Sequence, residues 1–399
     1  MSKWEEKRLE DIIDVNPPVK LKKGESYPFI DIDKVSPTRR SVTNEEVKVY
    51  DGQSSSKFCD GDTVFSRITP CLENRKIAKV SINGDAAFGS TEFYVFRAKK
   101  KKADARFTYY LTSSNAVVLP AINSMTGASG RQRADKRFIQ RLKLNLPDLP
   151  TQERIADVLS AYDDLIDANN RRIALLEQTA QELYKEWFVR FRFPGYENVQ
   201  FQDGFPKSWI IKRLADYGRT ETGKTPSTEI AENYGEEMMF VKTPDMHGNM
   251  FIIQTEDMLS ERGHSTQPKK LLPANSIMVS CIGTAGVVSI NARPAHTNQQ
   301  INSIILNNPN ELEWLYHTCK SLKETIELFG ATGATMTNLS KGKFEKLKVV
   351  DPGEDLILAY HNKVKPLFDE IKSLMYQNQN LAAQRDMLLP RLMSGKLEV

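Results

Sequence analysis

Cysteine and histidine are scarce in this 399-residue chain, and both shortages restrict its chemistry. The four cysteines, Cys59, Cys71, Cys281 and Cys319, lie far apart and form no C-x-x-C pair, which argues against a zinc ribbon or a dithiol redox motif. So few in so long a chain do not make a disulfide scaffold, and a reducing cytoplasm is the expected location. The five histidines, His247, His264, His296, His317 and His361, show no metal-ligand spacing. No run approaches the ~18 consecutive apolar residues of a membrane span, and Met1-Ser2-Lys3-Trp4-Glu5-Glu6 is no apolar leader, so no membrane partner is expected. A strong excess of one charge is lacking as well. The 55 Lys and Arg exceed the 51 Asp and Glu by only 4, so a nucleic-acid partner requires locally concentrated basic groups or help from other subunits. With 40% hydrophobic residues the chain reads as globular, and its length calls for two or more domains.

What the chain does have is an internal repeat. Trp4-Glu5-Glu6-Lys7-Arg8-Leu9-Glu10-Asp11 returns as Trp209-Ile210-Ile211-Lys212-Arg213-Leu214-Ala215-Asp216, five identities at an offset of 205. Val80-Ser81-Ile82-Asn83 matches Val288-Ser289-Ile290-Asn291 at 208, and Leu142-Lys143-Leu144 matches Leu347-Lys348-Val349 at 205. The chain is a tandem duplication. Each unit opens with a mixed segment in which short β-rich runs, such as Thr63 to Ser66, Phe93 to Phe96, Ser276 to Val279 and Ile301 to Leu306, are punctuated by Gly, Pro and Asn. Helical stretches lie among them, as around Glu311 to Leu328. This pattern predicts an α+β domain at 1–150 and a second at 193–353.

Each unit ends in a heptad seam, predicting long helices over 151–192 and 354–399. Ile155, Tyr162, Asn169, Leu176 and Leu183 interlock with Leu159, Ile166, Ile173, Ala180 and Trp187. The second seam runs through Tyr360, Leu367, Leu374, Leu381 and Leu388, and through Val364, Ile371, Asn378, Arg385 and Leu392. Pro366 is expected to kink or delay the first turns of that helix. Two equal helices ending the units of a tandem repeat can pair about a pseudo-twofold axis, which predicts an antiparallel coiled coil. End-to-end alignment sets Ile155 against Leu392, Trp187 against Tyr360, and Tyr162 beside Arg385 as a cation–π contact. It also predicts direct contact between Asn169 and Asn378, two buried amides that satisfy each other and fix register. The alternative is that each helix packs onto its own globular domain.

This order of variable domain, long helix, variable domain, long helix resembles the specificity subunits of type I restriction–modification systems over essentially the whole chain. Leu146-Pro147-Asp148-Leu149-Pro150-Thr151-Gln152-Glu153-Arg154-Ile155-Ala156 resembles the family's strand, Pro-containing turn and Gln-Glu helix opening. Leu388 to Leu397 looks like its helix end. Gly283 to Val288 and Thr297-Asn298-Gln299-Gln300 look like its target-recognition signatures. The resemblance implies that each globular unit reads one half of a split double-stranded DNA target. It implies that the helices serve as ruler and docking surface for two adenine methyltransferase subunits, with motor and nuclease subunits completing a restriction enzyme. S-adenosylmethionine, ATP and magnesium are then expected in the partners and no cofactor here. The second half has Leu356 to Ala359 where the first has Gln152-Glu153, so the two docking surfaces are not expected to be equivalent.

Several motifs look catalytic. Gly218-Arg219-Thr220-Glu221-Thr222-Gly223-Lys224-Thr225 satisfies the P-loop expression, but a short polar segment precedes it and Pro226 follows at once. A turn opening the second recognition domain, like the family's Gly-x-Thr-Pro-Ser, is the preferred reading. Asn16-Pro17-Pro18-Val19 is similar to the Asn-Pro-Pro-aromatic loop of adenine methyltransferases, yet Val19 offers no ring for a flipped base. Pro147-Asp148 and Pro244-Asp245 have no suitably placed Glu-x-Lys, and Asp31 and Asp33 read as solvated acids. No catalytic, cofactor-binding or metal-binding residue is predicted.

Base edges are read by Arg, Asn and Gln, while Lys, Ser and Thr mostly hold phosphates. On this basis Ser66 and Arg67 align with Ser280 and Cys281. The segment Gly89-Ser90-Thr91-Glu92, with Ser90 and Thr91 as contact candidates, aligns with Thr297-Asn298-Gln299-Gln300, with Asn298, Gln299 and Gln300 as theirs. The loop Thr126 to Arg133, carrying Arg131, Gln132 and Arg133, aligns with Gly330 to Asn338, carrying Thr332, Thr335, Thr337 and Asn338. The run Lys99 to Lys102 is expected at a hairpin tip, solvated or touching phosphate. The divergence between halves predicts an asymmetric target. The leading expectation is a non-enzymatic DNA-recognition and assembly subunit; a P-loop nucleotide-binding enzyme and a generic coiled-coil scaffold are the alternatives.

Overall fold

The computed structural model describes residues 4–37, 39–43, 46–128, 130–330 and 337–399. It divides into two compact units, 1–168 with 378–399, and 169–377. Neither unit is one repeat of the sequence. Each combines a mixed globular segment with parts of both long helices.

In the first unit a five-stranded sheet runs in the order Ile13–Val15, Phe93–Ala98, Thr63–Ser66, Ile77–Ser81, Ser41–Thr43. Its pairs are antiparallel except the last, which is parallel. Phe93 to Phe96 and Thr63 to Ser66 are buried on both faces, so burial along these strands does not alternate. A smaller sheet orders Glu46–Val49, Ser26–Ile30, Ala87–Gly89 and Ser56–Phe58. The second unit repeats the larger sheet strand for strand: Gly218–Thr222, Ile301–Leu306, Ile277–Ser280, Val288–Asn291, Phe251–Ile252, again with a parallel last pair. The ribbon Trp4–Arg8 with Lys143–Pro147 likewise recurs as Ile210–Arg213 with Lys348–Asp351. The tandem repeat is therefore a repeat of topology.

The long helices span Leu149–Tyr184 and Glu354–Met393. A short π-helical stretch, Lys185–Val189, follows the first. Pro366 does not delay the second helix, which begins twelve residues earlier at Glu354 and continues through it. A proline inside a helix forfeits one backbone hydrogen bond, and here flanking apolar contacts through Val364 and Phe368, both buried, hold the segment in place.

The predicted register is legible inside each unit. Ile155, Leu159 and Leu392 are buried in one core, with Leu388 packed against it. In the second unit Trp187 meets Tyr360 edge-on at 5.8 Å, Tyr360 Oη donates to Ala180 O at 3.1 Å, and Arg172 pairs with Glu370 at 3.0 Å. Residue numbers rise on one helix as they fall on the other, so the pairing is antiparallel. Asn169 is buried and its Nδ2 donates to Gln377 Oε1 at 2.8 Å, while Asn378 belongs to the other unit. One expectation is corrected. Arg385 pairs with the buried carboxylate of Asp163 rather than stacking on Tyr162, and Tyr110 Oη donates to the same carboxylate at 2.5 Å. A buried carboxylate that also receives a phenol is a stronger partner for a guanidinium than an aromatic face.

Each helix thus serves both units instead of packing onto its own domain alone. Gln152, expected at a docking surface, is buried and clamps the first unit internally. Its Nε2 donates to Pro147 O at 3.0 Å and its Oε1 accepts from Asp104 N at 3.2 Å. Asp104 in turn caps the helix Ala105–Ser113 by accepting from Arg106 N and Phe107 N. Lys99 to Lys102 form the link into that helix and no hairpin tip; Lys99 Nζ donates to Glu10 O at 2.5 Å. Leu392 is fully buried in the first unit's core. Leu392→Ala is therefore expected to destabilise that unit by ~2–5 kcal/mol, read by urea unfolding together with loss of amide-exchange protection around Ile155 and Phe107.

Candidate nucleic-acid interface

Three loops meet at the end of the central strand in each unit, and the same backbone bonds hold them. In the first unit Arg67 N donates to Glu92 O at 2.9 Å and Ala134 N donates to Arg67 O at 2.8 Å. In the second, Cys281 N donates to Gln300 O at 2.7 Å and Leu339 N donates to Cys281 O at 2.9 Å. Arg67, Glu92 and Arg133 thus stand where Cys281, Gln300 and Asn338 stand. Ser90 and Asn298 are also equivalent, their side-chain oxygens accepting from Glu92 N at 3.3 Å and Gln300 N at 3.1 Å. One scaffold carries two different sets of side chains.

The first set is charged. Arg133 Nε and Nη2 donate to Glu92 Oε2 and Oε1 at 2.9 and 2.5 Å, and Arg67 Nε donates to Glu92 Oε2 at 3.2 Å. Arg67 also lies over the Tyr94 ring at 5.5 Å, while Tyr94 Oη donates to Ala134 O at 2.7 Å. The Arg133 guanidinium holds the Glu92 carboxyl below its ordinary value of 4.5, with Arg67 adding to the effect and burial opposing it. Thr126 and Arg133 exchange both backbone bonds, at 2.9 and 3.1 Å, which closes the intervening loop. Gly127 and Gly130 sit in it at φ 127° and 80°, a region L side chains avoid. Gln132 is half-buried and its backbone pairs twice with Thr69. Arg131 is exposed; its backbone N donates to Ala128 O at 3.0 Å, and its side chain has no partner among the described residues. Thr91 is exposed at the tip of the adjoining turn.

The second set is neutral. Gln300 Oε1 accepts from Asn298 Nδ2 at 3.1 Å and from Thr243 Oγ1 at 3.3 Å. Gln299 is exposed, and its Oε1 accepts from Thr225 Oγ1 at 2.6 Å. Asn338 is exposed where its strand pairs with Ile282, and Thr337 pairs with Gly283. Burial pushes the Cys281 thiol up to about 11, so it adds no charge. Thr332 and Thr335 lie outside the described residues.

Three predicted contact residues are buried: Ser66, Ser280 and Asn298, the last with its side chain bonded to Gln300. Ser66 is fully buried and its Oγ donates to Lys76 O at 2.6 Å. Ser280, also buried, donates to Thr284 O at 2.6 Å and accepts from Val287 N at 2.9 Å. Both hydroxyls shape the loops that carry the exposed groups, because a strand end buried on both faces leaves no direction toward solvent.

Tyr94, Thr225 and Thr243 were not expected at the site from the sequence, and Glu92 closed one of the aligned segments without being expected to have a role of its own. An acid among basic loops was the available signal for Glu92, and Gly-Lys-Thr-Pro-Ser for Thr225. The P-loop match is resolved by geometry. Gly218–Thr222 is a sheet strand, and no α-helix follows until Thr243–Met246. The intervening turn packs on the recognition loop, with Lys224 N donating to Thr297 O at 2.9 Å. A Cβ on Gly223 would fall 2.2–2.3 Å from the oxygens of Asn298 and Thr297, which explains the glycine without a phosphate. Asn16 is likewise structural, its Oδ1 accepting from Val95 N at 2.8 Å. Among the described residues no three His, Cys, Asp or Glu side chains converge as metal ligands, and no helix is long and apolar enough to cross a membrane.

A twice-built scaffold with polar loops at one strand end, and long helices completing each unit, is the architecture of a DNA-specificity subunit. The profile of the type I restriction modification DNA specificity domain matches residues 1–178 and again 206–352, and the chain belongs to that family. It is 31% identical to the HindI specificity subunit of Haemophilus influenzae, over 88% of this chain and 90% of that one. To the MjaIX specificity subunit of Methanocaldococcus jannaschii it is 25% identical, over 99% and 94%. The S subunit of the type I system of M. genitalium shares the fold at a TM-score of 0.56 and 13% identity, covering 98% of this chain and 96% of that one. The chain is a non-catalytic DNA-recognition subunit of a type I restriction–modification complex.

Because the folded-state pKa of Glu92 is depressed, the Arg133–Glu92 pair contributes stability above the ordinary carboxylate range and loses it as pH falls through the lowered value. An NMR titration should place the Glu92 midpoint below 4.5, and Arg133→Ala should raise it. An ordinary midpoint unaffected by Arg133→Ala would contradict the geometry.

Proposed function

We propose that each unit reads one half of a split, asymmetric double-stranded target, using the loops at the end of its central strand. The observation that carries this reading is the equivalence of Arg67, Glu92 and Arg133 with Cys281, Gln300 and Asn338 on one backbone framework. Identical side chains in two equivalent sites would favour matching half-sites; a charged set and an amide set favour unlike ones. Arg131, Gln132 and Arg133 with Thr91 serve the first half-site, and Asn298, Gln299, Gln300, Thr335, Thr337 and Asn338 the second. Arg67 and Ser90 support the first set from behind, as Ser66 and Ser280 support the loops of each.

The long helices dock two DNA adenine methyltransferase subunits, and motor and nuclease subunits join to complete a restriction enzyme in the cytoplasm. S-adenosylmethionine, ATP and magnesium belong to those partners. Exposed apolar side chains on the helices, Leu165, Leu175, Leu358 and Met387, support a docking role.

The purified chain alone should transfer no methyl group, and co-expression with a type I methyltransferase subunit should produce adenine methylation at a split site. Methyl transfer by the chain alone would refute the reading. Exchanging residues 12 to 145 for those of another specificity subunit should change one half-site and leave the other. DNA affinity should fall steeply with salt, as phosphate neutralisation demands. Arg131→Ala should weaken binding by about 1–3 kcal/mol if it meets a base edge, or flatten the salt slope by about one unit if it meets a phosphate.

A further inference from the structure

Glu92 is an unexpected residue at a surface meant for DNA, since an unpaired carboxylate there repels phosphate. It is not unpaired. Two guanidiniums converge on it, and the deeper of them, Arg67, is additionally settled over Tyr94. The trio keeps one net positive charge. Arg133 is the more exposed of the two arginines, its side chain 45% accessible against 29% for Arg67. Its backbone is pinned by Thr126 on one side and bridges Ile68 on the other.

A guanidinium has five N–H donors in a planar fork. Glu92 occupies the edge formed by Nε and Nη2, and Nη1 has no partner among the described residues. The free end of the fork matches the two acceptors, O6 and N7, that guanine shows in the major groove. Because Glu92 fixes the plane of the fork, the rotamer freedom of Arg133 is lost before DNA arrives and not during binding. Arg131, two residues away and unheld, lacks that preorganisation. The equivalent places in the second unit hold Gln300, whose Oε1 is engaged by Asn298 and Thr243, and Asn338, so the charged fork has no counterpart there.

We propose that Glu92 is a specificity-determining positioning residue that presents Arg133 to a guanine in the first half-site. This deepens, and rests on, the DNA-reading function proposed above.

The test is to map methylated adenines in cells carrying the full chain with its methyltransferase subunits. Wild type, Glu92→Gln and Arg133→Gln are compared, and the first half-site is identified by the exchange of residues 12 to 145. The wild-type motif should contain a guanine in that half. Arg133→Gln should change the base required there, and Glu92→Gln should relax the same position to several bases. In both variants the second half-site should persist, which also shows that the complex folds. No methylated motif from the wild-type chain would refute the DNA-reading function itself. A split motif that survives Arg133→Gln or Glu92→Gln unchanged, or that lacks guanine in the first half, would overturn only the present assignment. So would tighter binding of Glu92→Gln to unrelated duplexes, the behaviour of a latch. Should a variant abolish methylation, the wild-type complex is tested on duplexes carrying 7-deazaguanine at each guanine of the half-site. One position should weaken binding about tenfold or more, and none doing so would overturn the assignment.

Discussion

The structure depends on the way two long helices are shared out. Neither globular segment closes its core with the helix that follows it alone. Leu392, near the end of the second helix, is fully buried among Leu9, Phe107, Ile155 and Leu159 of the first unit. Tyr184 and Trp187, from the far end of the first helix, pack with Trp314, Tyr360 and Leu214 in the second. An apolar stripe on a helix must be covered, and here the covering residues come from the other repeat. Antiparallel pairing follows as the arrangement that lets both helices serve both cores.

Buried charge strengthens that arrangement. Asp163 lies inside the first unit with Arg385, Arg40 and the Tyr110 hydroxyl around it. Removing one partner from such a group leaves a buried charge uncompensated, commonly at ~3–5 kcal/mol, whereas a shifted helix register would separate Asp163 from Arg385 entirely. In the second unit His361 and Glu313 form a comparable buried contact at 2.6 Å. Polar pairs of this kind penalise slippage that a uniform leucine seam would tolerate.

Much of this was legible in the sequence because it rests on periodicity. The repeat offset and the heptads follow from spacing, and the strands Thr63–Ser66 and Ile301–Leu306 from short β-rich runs bounded by turn residues. The recognition loops could be located from turn residues and side-chain type. Their inward or outward aim could not. Ser66 and Ser280 looked like contact residues and are buried, because their strands are covered on both faces to the last residue. Glu92 fell inside an aligned segment, but its role did not show because it lies in two arginines distant in sequence. Arg385 went to Asp163 instead of Tyr162 because heptad counting does not register a carboxylate one position away. The P-loop expression could be set aside from the sequence because its flanking residues, a short polar segment before it and Pro226 after it, suit neither the buried strand nor the helix that a phosphate loop needs.

The central claim is that one scaffold, built twice with unlike side chains, reads two unlike half-sites. Selection of tight-binding sequences from random duplexes by the chain with its methyltransferase subunits tests this most directly. The account predicts two separated blocks of defined sequence, different from one another, with a spacer of arbitrary bases between them. A single continuous block, or two blocks that are inverted copies of each other, would contradict it.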